Sequence, residues 1–290
     1  MNAHRFVKPF IGSVIILPII YAVMRGMNSS FSTDTLTLML FLATISVEVW
    51  ALMQFVRARK SFSKNDPGYL TWTLITGFMI IRLIAEARLL TLTVNLVPNY
   101  QEGASAALYF YIIVLRYLYT ISDLLFIAAL FTTIRSYKST GLPFNLLVKD
   151  YFYMLAVWTL PVITYAFRAN LIHSGVIGND GYLATYRLIA VSVGAVIATV
   201  CIMIRRYALQ MGGGAVAKVW NMVVIAGVAR DGSFLVLALI STWSKPAASF
   251  LEQYLLWIFA GCWLLAGMYQ NAVFTRATKT HPVYVAESAT

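Results

Sequence analysis

A chain of 290 residues that is 60% hydrophobic and only 11% charged, with a mean hydropathy of +0.75, carries more apolar surface than one or two water-soluble domains can bury. The formal net charge of +11 would suit a nucleic-acid-binding protein if it were gathered on one polar face, but the basic residues sit at the ends of long apolar stretches, which excludes that class. The partner implied by this composition is the lipid bilayer, because about 20 mostly apolar residues suffice for a helix that crosses the hydrocarbon core.

The first apolar segment runs from about Pro9 to Met24, behind Arg5 and Lys8. It is short and follows a basic start, as a signal peptide would. Tyr21, Ala22, Val23 and Met24 offer no small-x-small cleavage site, however, so a retained helix is expected; its removal would leave seven helices in the same orientation. The second segment covers about Thr35 to Val56, and the third about Tyr69 to Val97, closed by Pro98. The fourth runs from about Ala104 to Ile134, long enough to tilt. The fifth, about Val148 to Phe167, contains Pro161 as a candidate kink. The sixth spans about Leu183 to Ile204 and is followed by the break Gly212, Gly213, Gly214. The seventh covers about Ala215 to Trp243, and the eighth about Phe250 to Phe274.

The fold class expected is therefore all-α: a polytopic transmembrane bundle of about eight helices, a seven-helix core plus an N-terminal helix. It forms a single domain over residues 1–275, with a short, disordered tail over 276–290. Cys201 and Cys262 fall inside apolar stretches and read as packing residues. Trp50, Trp72, Trp220, Trp243 and Trp263 are expected mostly toward helix ends, as interfacial aromatic belts.

Orientation follows from the basic residues, which resist translocation. On one set of alternate ends lie Arg5 and Lys8; Arg57, Arg59, Lys60 and Lys64; Arg135, Lys138 and Lys149; Arg205, Arg206 and Lys218; Arg276 and Lys279. The other set has Arg25, Arg168 and Lys245. Fourteen against three places both termini in the cytoplasm and requires an even number of spans. No loop is long enough to hold a kinase, nucleotide-binding or ligand-binding domain, so activity resides in the bundle or in a partner.

The charges within the apolar segments carry the information. Glu48 lies in helix two, Arg82, Glu86 and Arg88 in helix three, Arg116 and Asp123 in helix four, and Arg230 and Asp231 in helix seven. Each costs about 2.5–3.5 kcal/mol at mid-bilayer unless it faces the bundle interior and finds a partner. At about 1.5 Å per residue, Glu48, Arg82, Glu86, Arg116, Arg230 and Asp231 fall about 16–23 Å below the outer surface, in one slab. Arg82 and Glu86, four apart, share a helix face. Tyr109, Arg116, Tyr119 and Asp123 form a polar stripe on helix four. Arg230 and Asp231 diverge by about 100° and serve different neighbours.

Two readings of this network are open. It lines a polar cavity, holding an anion through Arg82, Arg116 and Arg230 or relaying protons through Glu48, Glu86 and Asp123. Alternatively the charges neutralise one another as a structural lock between helices two, three, four and seven. Helices three and seven each carry an arginine near an acid, as a parallel four-plus-four duplication would leave them, but the flanking residues do not align.

Other chemistries lack residues. The eight lysines lie in loops or at helix ends, so a retinal Schiff base has no buried amine. His4 and His281 are in the tails and His173 in an outer loop, which leaves haem b without core ligands. No HExxH, GxSxG, CxxC or P-loop pattern occurs. His173 near Asn179 and Asp180 reads as a solvated loop, not a metal site. No cofactor is expected; a bound lipid is left open.

The basic loop before the aromatic third helix, Tyr109-Phe110-Tyr111 at the start of helix four, and Arg205-Arg206-Tyr207 between helices six and seven resemble features of uncharacterised bacterial multi-helix integral membrane proteins of the acidobacterial type. The resemblance covers most of the chain and implies a bacterial inner membrane, with no activity attached. Three functions are weighed. A non-enzymatic sensor or accessory subunit, docking a membrane partner or a second copy, ranks first because catalytic motifs are lacking. A small-molecule or proton-coupled transporter comes second. A membrane-embedded lipid or isoprenoid enzyme using Glu48 and Asp231 comes last.

Overall fold

The computed structural model describes residues 3–27, 30–96, 106–139, 141, 144–166, 181–210, 213–240 and 244–280. Its eight described helices are α1 (Ala3–Gly26), α2 (Ser30–Lys60), α3 (Pro67–Leu96), α4 (Ala106–Lys138), α5 (Val148–Ala166), α6 (Gly181–Gln210), α7 (Gly214–Ile240) and α8 (Lys245–Thr280). No strand occurs among the described residues. Lipid satisfies no backbone N–H or C=O, and a helix satisfies its own, so long apolar segments of this kind cross as helices. Six helices, all but α5 and α7, are long and apolar enough to cross a bilayer on their described residues. The protein is a polytopic helical membrane protein.

Most helices run beyond the apolar segments, because their ends pass into the headgroup region where polar residues continue the turn. α8 has 36 residues, about 54 Å at 1.5 Å per residue. It continues through Thr280, past the expected start of the tail; residues 281–290 lie outside the described residues, as do Gly212, His173, Asn179 and Asp180.

α8 is the axis of the bundle. Every residue from Phe259 to Met268 is buried, as in a helix surrounded on all sides. α8 packs most extensively on α7 and α2; α7 continues to α6, α2 to α3, and α3 to α4, while α4 touches α6. α1 lies outside α8 and α2, and α5 outside α6. Trp263 of α8 joins the elements: its ring lies 5.5 Å from Phe55 of α2, 5.2 Å from Phe78 of α3 and 5.2 Å from Phe126 of α4. Trp72 and Trp220 lie toward helix ends as expected, in the first two turns of α3 and α7, but they turn inward and are buried, and Trp263 sits buried midway along α8. In a bundle whose outer face needs only aliphatic side chains, large rings fill the space between helices instead. Cys201 and Cys262 are free and buried.

The α2–α8 contact depends on a missing side chain. A Cβ at Gly267 would stand 2.7 Å from the Gln54 Cβ, an atom that α2 cannot withdraw without shifting its backbone. One turn on, the Asn271 side-chain amide donates to the Gln54 backbone carbonyl and side-chain oxygen, both at 3.0 Å. Small residues permit such approach and polar groups fasten it. Gly267→Ala is therefore expected to destabilise the protein by about 1–2 kcal/mol through overpacking, read as a lower midpoint of thermal unfolding in detergent; an unchanged midpoint would contradict the close approach.

α1 is tied to α8 by the Tyr254 hydroxyl, which donates to the Val14 carbonyl at 2.8 Å, and by the Trp257 indole N–H, which donates to Ser13 Oγ at 3.0 Å. Its other face exposes Ile11, Ile15, Ile16 and Ile19, the surface an outer helix presents to acyl chains.

Candidate functional site

α3 presents Arg82 and Glu86 on one face, one turn apart, and α2 brings Glu48 against them. Arg82 Nη2 donates to Glu86 Oε1 at 3.1 Å, and Arg82 Nε lies 3.5 Å from Glu48 Oε1. All three are shut away from the surface, Glu48 with 1% of its area exposed, Arg82 2% and Glu86 3%. The guanidinium is further covered by the Phe259 ring of α8, 4.0 Å away, and approached by Tyr119 of α4 at 5.8 Å. Burying ions costs several kcal/mol each, and a mutual arrangement of this kind offsets the cost; the aromatic face adds a further attraction to the cation. Glu48 Oε2 is buried and makes no hydrogen bond among the described residues.

A second unit joins α7 to α4. Arg230 Nη1 donates to Asp123 Oδ1 at 2.6 Å and Nη2 to Oδ2 at 2.9 Å. This parallel fork is the strongest geometry open to a guanidinium and a carboxylate. Phe259, which covers the Arg82 guanidinium, also lines a cavity bordered by Arg230, so the two units are neighbours. Between the helices is a cavity of about 20 Å³, lined by Phe78, Phe126, Gly227, Arg230, Phe259 and Trp263 among others. That is room for about one water molecule.

Of the charges singled out in the sequence, Glu48, Arg82 and Glu86 form one contact group, and Asp123 and Arg230 another. Arg116 is partly buried on α4, two turns before Asp123. The side chains of Asp231, Arg88 and Tyr109 lie outside the described residues. Two of the three arginines considered for an anion, Arg82 and Arg230, are engaged by carboxylates of the protein itself. Among the described residues no group of three His, Cys, Asp or Glu is placed to hold a metal.

A further polar cluster was not anticipated. Asp150, in the first turn of α5, has no exposed surface. Its Oδ2 accepts from the Leu147 N–H at 2.9 Å, satisfying one of the amide donors that a helix start leaves open. The same carboxylate meets Arg205 Nη1 at 3.4 Å and Arg206 Nε at 3.8 Å, both from the end of α6. Arg205 also donates to Asn221 of α7, and Arg206 to the Asn145 carbonyl. The signal was present in the sequence: Asp150 is an acid within a run of loops and helix ends that are otherwise almost entirely basic.

No protein-family model matches the chain, and comparison with the curated proteins and with the solved structures finds no match to either.

Proposed function

We propose that this protein is a non-enzymatic membrane module, a sensor or an accessory subunit, whose buried ion pairs hold α2, α3, α4 and α7 in fixed register. The observation that carries this reading is the pairing itself. Arg82 is spent on Glu48 and Glu86, and Arg230 on Asp123, around a space fit for one water. A lock needs opposite charges that meet across helices, and Glu48 with Arg82 and Asp123 with Arg230 supply them. The setting proposed is a bacterial inner membrane with both termini in the cytoplasm, supported by the fourteen-to-three distribution of basic residues between alternate segment ends in the sequence. The partner is another membrane protein or a second copy of the chain.

Purification of the whole protein in mild detergent, followed by mass spectrometry of intact complexes, tests this. A stoichiometric companion chain or a defined homo-oligomer is expected; a monomer carrying a bound small-molecule substrate would overturn the reading.

One observation favours a second reading, a proton-coupled or small-molecule carrier: the buried Glu48 Oε2 that makes no hydrogen bond among the described residues. Glu48→Gln separates the two. A lock loses stability when the carboxylate that meets Arg82 across helices is neutralised, seen as a lower unfolding midpoint. A carrier keeps its midpoint and loses flux in reconstituted vesicles.

A further inference from the structure

We propose that the corner where the first turn of α5 meets the end of α6 and the start of α7 binds the phosphate headgroup of an anionic phospholipid. Arg205 and Arg206 share one carboxylate, Asp150; the exposed Lys149 precedes that acid in the chain, and the exposed Lys218 lies about one turn before Asn221, which Arg205 contacts. These four cations and one acid at three helix ends carry a formal net charge of +3. Asp150 and Asn145 fix the arginines through Nη1 of Arg205 and Nε of Arg206. The two terminal nitrogens of Arg206 make no hydrogen bond among the described residues and are not buried orphans; with 16% of its side-chain area exposed, Arg206 keeps a planar pair of donors to offer a phosphate.

The surroundings say which phosphate. Tyr151, Phe152 and Tyr153 are each more than half exposed directly beside the cations, and Leu155, Trp158 and Val162 continue the exposed face along α5. Aromatic side chains followed by aliphatic ones, below a cationic cluster, match the order of headgroup, interface and acyl chain in a lipid. A soluble phosphate has no use for that apolar face.

The test uses the full chain in neutral detergent, with phosphatidylglycerol or phosphatidylcholine added and bound lipid counted by native mass spectrometry. The parent is expected to retain phosphatidylglycerol in preference to phosphatidylcholine, with the preference falling as salt rises. The Lys149→Gln/Arg206→Gln variant is expected to bind phosphatidylglycerol at least tenfold more weakly. Because Arg206 also fastens Asn145, Lys149→Gln alone serves as a variant of an exposed side chain, expected to bind several-fold more weakly with an unchanged unfolding midpoint in phosphatidylcholine. Equal retention of both lipids by the parent, equal phosphatidylglycerol affinity in parent and variants, or displacement of the lipid by millimolar inorganic phosphate would each overturn the proposal, the last by revealing a soluble-anion site.

Discussion

Arg82→Met is expected to lower the unfolding free energy of the detergent-solubilised protein by about 3–5 kcal/mol, because removing one partner of a buried ion group leaves the rest uncompensated. Here the rest is two carboxylates. Glu48 and Glu86 meet the same guanidinium from α2 and α3, and without it they face each other with no intervening cation. Phe259, whose ring lies 4.0 Å from the guanidinium carbon, retains apolar contact with methionine but loses its attraction to charge. Arg82→Lys is expected to recover part of the loss only, since a compact ammonium cannot spread its charge over a guanidinium plane that reaches both acids.

The informative comparison is the triple variant Glu48→Gln/Arg82→Met/Glu86→Gln, which removes the charges together. If the group acts as a lock, most of the loss returns, as replacement of a whole buried ion group by neutral side chains of similar volume is often nearly neutral. The measurement is the midpoint of thermal unfolding for the three proteins in one detergent. A parent-like midpoint for Arg82→Met alone would show that the guanidinium does not hold the helices.

The helix inventory is legible because hydrocarbon imposes it: a helix that spans must be long and apolar, and both conditions leave a mark in the sequence. Within a helix, the pitch made the Arg82–Glu86 pair readable from spacing alone. Contacts between helices were less so. Glu48 was assigned to the level of Arg82 by counting from the helix end, and it does meet Arg82. The same counting left Asp123 outside the slab that contains Arg230, yet the two form the fork. A long arginine stem extends along the helix axis, so the height of a Cα does not fix the height of its charge.

Neighbour order was not readable at all. That α8 is the axis and α5 an outer helix depends on which apolar faces fit one another, and helices that are apolar all round carry no stripe to say so. The tryptophans misled for the same reason: an aromatic residue in an apolar segment suits an interface or a core, and Trp263 takes the core because Phe55, Phe78 and Phe126 converge on it. Asp150 was overlooked because counting basic residues for orientation treats every helix end as solvated, whereas this acid is fully buried under two arginines.

Asp123→Asn is expected to cost about 1.5–3 kcal/mol, the range for a hydrogen bond to a charged group, because the part-buried pair keeps one acceptor for Arg230 but loses the charge and the second oxygen. Arg230→Met should cost a similar amount, by leaving Asp123 ionised and unforked. Their combination is the decisive protein. If the fork is what joins α4 to α7, the double variant falls short of the sum of the single losses by about 1–3 kcal/mol, the coupling expected of residues in direct contact. Strict additivity would show that the two side chains stabilise the bundle independently. Arg230 also borders the one-water cavity, so Arg230→Met is expected to dry that space by filling the polar wall with a thioether. A double variant as stable as the parent would show that the fork sets register at little net gain in stability.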